Sequence, residues 1–115
     1  MARVRNPTLS GYRFVWILVM FDLPVGTKPE RRAATRFRNW LLDEGYEMSQ
    51  FSIYMRFCAG KEQADRRTRE IGKVRPAKGQ IHVLMVTDKQ FADMVVFRHG
   101  ERAKNRGVPE QLALF

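Results

Sequence analysis

A single acidic residue, Asp22, stands directly after the continuous apolar run FVWILVMF of residues 14–21. A short apolar run of this kind predicts a strand covered on both faces, so Asp22 would lie where that strand leaves the sheet. Ligands commonly bind at such sheet ends, and carboxylate oxygens suit Mg²⁺. One carboxylate holds the ion poorly, so the hypothesis of a Mg²⁺ site requires a second copy of Asp22 from a two-fold partner. The alternative is that Asp22 only accepts hydrogen bonds from the backbone amides of residues 23–27.

The cysteine and the two histidines are weaker candidates for catalysis. Cys58 is the only cysteine, so no internal disulfide can form, which is typical of a reducing cytoplasm. No histidine lies near Cys58 in the sequence, and this favours a structural thiol over a nucleophile. His82 falls in the middle of a predicted strand, where a hydrogen-bonded sheet histidine is favoured over a general base. His99 ends the last predicted strand, from which it could reach a partner.

Positive charge is the main feature of the composition. The chain has 21 Lys and Arg against 12 Asp and Glu, a formal net charge of +9. Such a balance indicates a polyanionic partner, nucleic acid before an anionic membrane surface, although a basic surface can also serve solubility alone. The candidate phosphate-binding residues follow Asp22 and are Lys28, Arg31, Arg32, Arg36 and Arg38. A second cluster, residues 61–78, has seven basic and three acidic residues.

Two helices are predicted to carry these basic clusters. Thr27 and Glu30 have the spacing of a capping box, and Gly45 suits a left-handed helix end, so a helix is expected from Lys28 to Glu44. A second helix is expected over residues 61–74. Its predicted ion pairs join residues four apart in the sequence, Glu62 to Arg66 and Asp65 to Arg69.

Strands are predicted between and after the helices. Residues 46–57 predict two short antiparallel strands or one bulged strand, with Phe51, Ile53, Met55 and Phe57 facing the core and Tyr54 free. Residues 80–86 and 94–99 predict two more strands separated by a polar turn. The order is that of an α+β, ferredoxin-like βαββαβ sandwich with an antiparallel sheet and an additional C-terminal strand.

The predicted organisation is one domain with two flanking segments. Residues 1–12 are interpreted as a flexible leader, residues 13–99 as the ferredoxin-like domain, and residues 100–115 as a basic tail with a terminal apolar motif. No apolar run reaches the roughly 18 residues of a membrane span, so no membrane protein is predicted. The first apolar run is followed by Asp22 and not by a small-residue cleavage site, so no signal peptide is predicted.

Two stretches resemble the CRISPR-associated protein 2 family, particularly its members from type II systems. They are VMFDLPVGTKPERR, residues 19–32, and FRNWLLDEGYEMSQFSIYMR, residues 37–56. The resemblance extends over residues 13–99, and the matched features are Asp22, the basic helix, Gly45, Gln50, Ser52 and Tyr54. It implies a homodimer in which the last strand, here Val95–His99, pairs with the partner's sheet. It also implies that Asp22 binds the metal.

The resemblance implies two roles, a metal-dependent endonuclease on RNA or double-stranded DNA and a scaffold for the spacer integrase. Few residues suit catalysis and many suit phosphate binding. We therefore expect a homodimeric scaffold that binds double-stranded DNA during spacer acquisition, with slow Mg²⁺-dependent cleavage at paired Asp22 residues. The alternative is a stand-alone metal-dependent endoribonuclease. A third class, the RRM-type RNA binder, is disfavoured because FSIYMRF, residues 51–57, lacks the glycine of the RNA-binding motif.

The chain ends in QLALF, residues 111–115, which resembles the pentapeptide that docks bacterial proteins on the replication sliding clamp. The predicted docking residues are Gln111, Leu112, Leu114 and Phe115. A strand-like contact with the integrase or another protomer, or simple disorder, are the alternatives.

Overall fold

The computed structural model describes residues 14–103. In chain order the elements are β1 (Val15–Asp22), α1 (Lys28–Asp43), β2 (Glu47–Gln50), β3 (Ile53–Cys58), α2 (Lys61–Val74), β4 (Gln80–Thr87), α3 (Asp88–Ala92), β5 (Val96–Arg98) and β6 (Glu101–Ala103). The predicted leader and the terminal motif Gln111–Phe115 lie outside the described residues. None of the helices within residues 14–103 is long and apolar enough to cross a membrane.

Four strands form one antiparallel sheet in the order β2-β3-β1-β4. This order, with α1 after β1 and α2 after β3, is the ferredoxin-like arrangement, so the predicted fold is confirmed. β1 is central, as its apolar composition predicts, and Asp22 is its last residue. Phe51 and Ser52 form the turn between β2 and β3, which confirms the alternative of two short strands.

The main core lies between one face of the sheet and helices α1 and α2. Alternate residues of β1 supply its centre, from Val15 to Phe21, and α1 adds Phe37 and Leu41. β1 therefore buries this face completely, which anchors the strand that ends in Asp22.

The predicted orientation of β3 is wrong. Val19 pairs with Tyr54, so Tyr54 shares the core face of β1, where it is 2% exposed and stacks on Phe21 at 5.6 Å between ring centroids. Met55 lies on the opposite face against Trp16, and Phe51 is 79% exposed. The apolar residues of β3 occur on both faces, and for this reason alternation alone misassigns them.

The opposite face of the sheet is covered at one end only. α3, which the sequence analysis does not predict, begins with a capping box between Thr87 and Gln90 and buries Phe91 against Trp16 in a stack of 4.0 Å. Towards the start of β4 this face is more open, and Leu84 is 48% exposed.

The segment after α3 forms a hairpin instead of a single strand. β5 pairs with β6 as a separate two-stranded sheet, and the tight turn between them consists of His99 and Gly100, both with positive φ. Two such residues are typical of a two-residue hairpin turn. His99 therefore lies in a turn, and β6 falls in the range that the sequence analysis assigns to the tail.

Candidate nucleic-acid interface and metal site

Asp22 lies exposed at the end of β1, opposite Gln80 of β4. Gly79 packs directly against the backbone there: an added Cβ would lie 2.6 Å from the Asp22 carbonyl oxygen, and the φ of Gly79 is +95°. Only glycine adopts this conformation at this distance without strain. The close contact therefore holds the backbone of Asp22 in place.

The Asp22 carboxylate has no hydrogen-bond or ion-pair partner among residues 14–103. The alternative that loop amides of residues 23–27 satisfy it is therefore not what the structure shows. Those residues serve α1 instead, because Thr27 and Glu30 form the predicted capping box at 2.9 and 3.2 Å. The backbone hydrogen bond from Thr27 lowers the pKa of Glu30, and Lys78 lies 3.6 Å from its other oxygen. Glu30 is thus a helix cap.

An open cleft of about 260 Å³ surrounds Asp22. It is lined by Met20, Phe21, Asp22, Ser52, Ile53, Gln80 and His82. Asp22, Ser52 and Gln80 bring oxygen atoms, which are the donors that Mg²⁺ prefers. No group of three or more His, Cys, Asp or Glu residues that could hold a metal occurs in the described part of the chain. The donor set fits a Mg²⁺ ion that keeps several waters, and Asp22 is the one carboxylate among the described residues that line the cleft.

His82 was predicted to be a hydrogen-bonded histidine within the sheet, and this prediction is wrong. It is exposed and has no partner within the described ranges, because β4 is an edge strand and the face it points from is open. It pairs with Met20, so it is the diagonal neighbour of Asp22 on the same face. Residues two apart in a strand point to the same face, and Gln80 pairs with Asp22. The spacing of His82 from Gln80 is therefore the signal that could have placed His82 near Asp22.

The basic residues of α1 divide into two groups. Lys28, Arg32 and Arg36 are exposed, lie on one face of the helix, and form no ion pair within residues 14–103. They border a shallow depression that also includes Arg31, Thr35 and Asn39. We call Lys28, Arg32 and Arg36 the α1 cationic face. Their charges are available to a polyanion.

Arg31 and Arg38 are tied to the two loops that flank Asp22. The Nη1 of Arg31 donates to the carbonyl of Val25 at 3.1 Å, and the Nε of Arg38 donates to the carbonyl of Phe51 at 3.4 Å. The Arg38 guanidinium also lies 6.0 Å from the ring centroid of Phe21. Neither arginine lines the cleft around Asp22. α1 packs on the sheet face that carries Phe21, and the Asp22 side chain points to the opposite face because side chains alternate along a strand. The structure thus keeps the basic residues of α1 apart from the Asp22 carboxylate.

Two of the five basic residues of α2 are neutralised by acids among residues 14–103. Lys61 pairs with Asp65 at 2.8 Å, and Arg67 bridges Glu44 and Glu70 at 3.2 and 3.1 Å. The predicted pair of Asp65 with Arg69 is wrong because Asp65 pairs with Lys61, one turn earlier. The predicted Glu62–Arg66 pair is also not formed among residues 14–103. α2 therefore offers less free charge than its composition indicates.

Cys58 is buried, and burial raises the pKa of its thiol. A buried, protonated thiol is a poor nucleophile. The prediction of a structural cysteine agrees with this.

The chain was compared with protein families and with curated proteins. A family model described as CRISPR associated protein Cas2 matches residues 15–94. The CRISPR-associated endoribonuclease Cas2 of Paracidovorax avenae is 49% identical over 107 residues, 93% of this chain and 99% of its own. The proteins of the same name from Flavobacterium psychrophilum and Parvibaculum lavamentivorans are 48% and 41% identical, over 93% and 88% of this chain and 93% and 100% of theirs. With the ferredoxin-like sheet, these matches show that the chain belongs to the Cas2 family of CRISPR-associated proteins.

Proposed function

We propose that the protein is a homodimeric scaffold that binds double-stranded DNA during CRISPR spacer acquisition and that cleaves nucleic acid slowly at paired Asp22 residues. The observation that carries the proposal is the α1 cationic face, a row of exposed cations with no acidic partner in the described chain. Binding of phosphates by such a row depends on salt and is indifferent to sequence. A protein that must hold DNA of any sequence requires this indifference to sequence.

Two features support the homodimer. The open half of the sheet face leaves apolar side chains such as Leu84 in solvent, and a second copy would cover them. β4 pairs only with β1 among the described strands, so one edge of β4 has unpaired backbone groups. The predicted pairing of Val95–His99 with a partner's sheet would use such an edge.

Mg²⁺ is the proposed cofactor at the seam of this dimer. Asp22 would hold it from each copy, with Ser52 and Gln80 as neighbouring oxygen donors. When bound, the ion supplies a Lewis acid for a phosphate oxygen. Arg31 and Arg38 would bind phosphates of the duplex from α1, where Arg31 lines the same depression as the α1 cationic face.

Membership of the Cas2 family supports the spacer integrase as a partner. The replication sliding clamp is a further proposed partner through Gln111, Leu112, Leu114 and Phe115. A pulldown in which the double variant Leu114→Ala, Phe115→Ala still binds the clamp would contradict this second contact.

A second candidate function is a stand-alone metal-dependent endoribonuclease. It is favoured by the name of the relatives, endoribonuclease, and by the Asp22 carboxylate, which has no partner among residues 14–103 and lies in an open cleft. The cleft offers one acid per chain, which fits slow cleavage better than an efficient nuclease.

The Asp22→Asn variant separates the two functions. The scaffold proposal predicts that cleavage is lost while duplex binding, assembly with the integrase and spacer acquisition in cells remain. Loss of acquisition together with cleavage, while the complex still assembles, would favour the enzyme as the primary function.

A further inference from the structure

His82 and Asp22 lie on the same face of the sheet and line one cleft. Asp22 pairs with Gln80, and His82 lies two residues further along β4, so the two side chains are diagonal neighbours. We propose that Asp22 and His82 of two copies form a Zn²⁺ site at the seam of the dimer, and that Zn²⁺ bound there excludes Mg²⁺. The inference rests on the proposed function and deepens it, because it names a regulatory ligand of the same cleft.

The separation of Asp22 and His82 suits a single ion between them. Diagonal neighbours on paired antiparallel strands lie about 7–8 Å apart, and their Cβ atoms are somewhat closer. A carboxylate and an imidazole at that separation both reach one ion through bonds of about 2.0–2.2 Å. Neither side chain has another partner among residues 14–103, so the ion would displace no contact of the fold.

The imidazole of His82 changes which cation the cleft prefers. Mg²⁺ takes oxygen ligands and keeps several of its waters. An imidazole nitrogen suits Zn²⁺ and does not suit Mg²⁺. Asp22 alone therefore fits Mg²⁺, whereas Asp22 together with His82 favours Zn²⁺.

One copy of the chain leaves the zinc site incomplete. Structural Zn²⁺ takes four ligands, and no group of three or more His, Cys, Asp or Glu that could hold a metal occurs within the described residues. The sheet face that carries His82 is open towards the start of β4, because α3 covers the other end against Trp16. A two-fold partner on this open face would add a second carboxylate and a second imidazole.

Four protein ligands make a closed site. Catalytic zinc sites keep one position for water or substrate, whereas structural sites with four protein ligands do not. Zn²⁺ between two copies of Asp22 and His82 would therefore hold the dimer together and leave no coordination position for a phosphate oxygen. The cleft would be inactive while Zn²⁺ is bound.

The experiment measures Zn²⁺ affinity by competition with a chelator, in a large excess of Mg²⁺ and with protein that carries no histidine tag. Wild type is compared with His82→Gln, which removes the imidazole, and with His82→Cys, which replaces it with a thiolate that also binds Zn²⁺. A reductant keeps the new thiol reduced. Equilibrium dialysis gives the number of ions per chain, and sedimentation with and without Zn²⁺ gives the strength of the dimer.

His99→Asn is the matched control. The chain has two histidines, and His99 lies in the turn of the separate β5–β6 hairpin. Its φ is +54°, a conformation that asparagine tolerates, so the variant removes an imidazole without straining the turn.

We expect wild type to bind one Zn²⁺ for every two chains. His82→Gln should bind it about 100-fold more weakly or worse, because loss of an outer-shell partner alone costs about 10–100-fold. His82→Cys should retain the affinity, and His99→Asn should match wild type. Zn²⁺ at about 100 times its Kd should strengthen the wild-type dimer about 100-fold and leave the His82→Gln dimer unchanged.

The inference is overturned by a Zn²⁺ affinity that His82→Gln leaves unchanged, by an equal loss in His99→Asn, or by a wild-type dimer whose strength does not depend on Zn²⁺. The proposed function fails on other observations. A protein that stays a single protomer with and without Zn²⁺ would contradict the homodimer, and a duplex affinity that Arg32→Glu with Arg36→Glu leaves unchanged would contradict the scaffold. A dimer that binds duplex DNA but not Zn²⁺ contradicts the zinc site alone.

Discussion

Helices α1 and α2 carry comparable excesses of positive charge but use it differently. In α1 the acid of the first turn, Glu30, is occupied by the helix cap and by Lys78, which leaves the α1 cationic face unpaired in the described chain. In α2 two of the five basic residues are held by acids: Lys61 pairs with Asp65, and Arg67 pairs with Glu70 and joins the helix to Glu44 beyond the end of α1. The comparison teaches that the arrangement of acids decides whether basic residues bind a partner or stabilise the fold.

Charge reversal on each helix tests this comparison most strongly. Arg32→Glu with Arg36→Glu should weaken duplex DNA binding by about 100-fold at low salt and reduce the salt slope by about two for each chain, because two phosphate contacts are lost. Lys61→Glu, at a cation of α2 that is paired with Asp65 at 2.8 Å, is the control and should have a much smaller effect. Affinity measured over a salt series gives both quantities. Equal losses for the two helices would contradict the distinction.

Substitution of Arg67 should lower the stability of the fold and leave duplex binding unchanged. Its side chain is 19% exposed and holds two carboxylates, so Arg67→Ala should lower the free energy of unfolding by about 1–3 kcal/mol. Urea unfolding measures this change. Duplex affinity of the folded variant should match wild type, and a large loss of affinity without destabilisation would assign Arg67 to the interface.

Tyr46, close to the charges of Arg67 and Glu70, gives a smaller stability effect. Its hydroxyl is buried without a hydrogen-bond partner in the described structure, and burial raises the pKa of Tyr46 to about 12. Since the folded pKa lies above the ordinary tyrosine value of 10.0, the free energy of unfolding should fall as pH rises from about 10 to 12. Tyr46→Phe should remove this alkaline loss and raise stability at neutral pH by up to about 1 kcal/mol. Thermal unfolding over pH 7 to about 12 tests it, and a Tyr46→Phe variant less stable at neutral pH would contradict it.

Glu30 gives the smallest effect, at the start of α1. Its folded pKa is lowered from 4.5, so its charge stabilises the fold above that pH and the contribution is lost as pH falls through the folded pKa. Glu30→Gln keeps the capping geometry without the charge. The difference in melting temperature between wild type and this variant should be present at pH 7 and vanish below the folded pKa. A difference that persists in acid would assign the effect to geometry alone.

Local signals in the sequence predicted most of the fold. The capping spacing of Thr27 and Glu30 predicted the start of α1, and the glycine at position 45, which has a positive φ in the structure, predicted its end. The long apolar run predicted the central strand. α3 was missed although Thr87 and Gln90 have the same capping spacing, because five residues are too few for a helical apolar stripe.

The candidate site was predictable only in part. Asp22 could be placed from the end of the apolar run, but the neighbours His82 and Ser52 depend on strand pairing that the sequence leaves open. Ion pairs on α2 were mispredicted because Asp65 has a basic residue one turn away on either side, and only side-chain packing decides between them.

The contact of Gly79 with the backbone of Asp22 means that substitutions at positions 79 and 22 should affect cleavage in the same way. Because a Cβ at position 79 would lie 2.6 Å from the Asp22 carbonyl oxygen, any side chain there would shift the backbone that carries the carboxylate while residue 22 itself stayed unchanged. A saturation library selected for cleavage should therefore be depleted at position 79 almost as strongly as at position 22. Selection for duplex binding alone should tolerate changes at position 22.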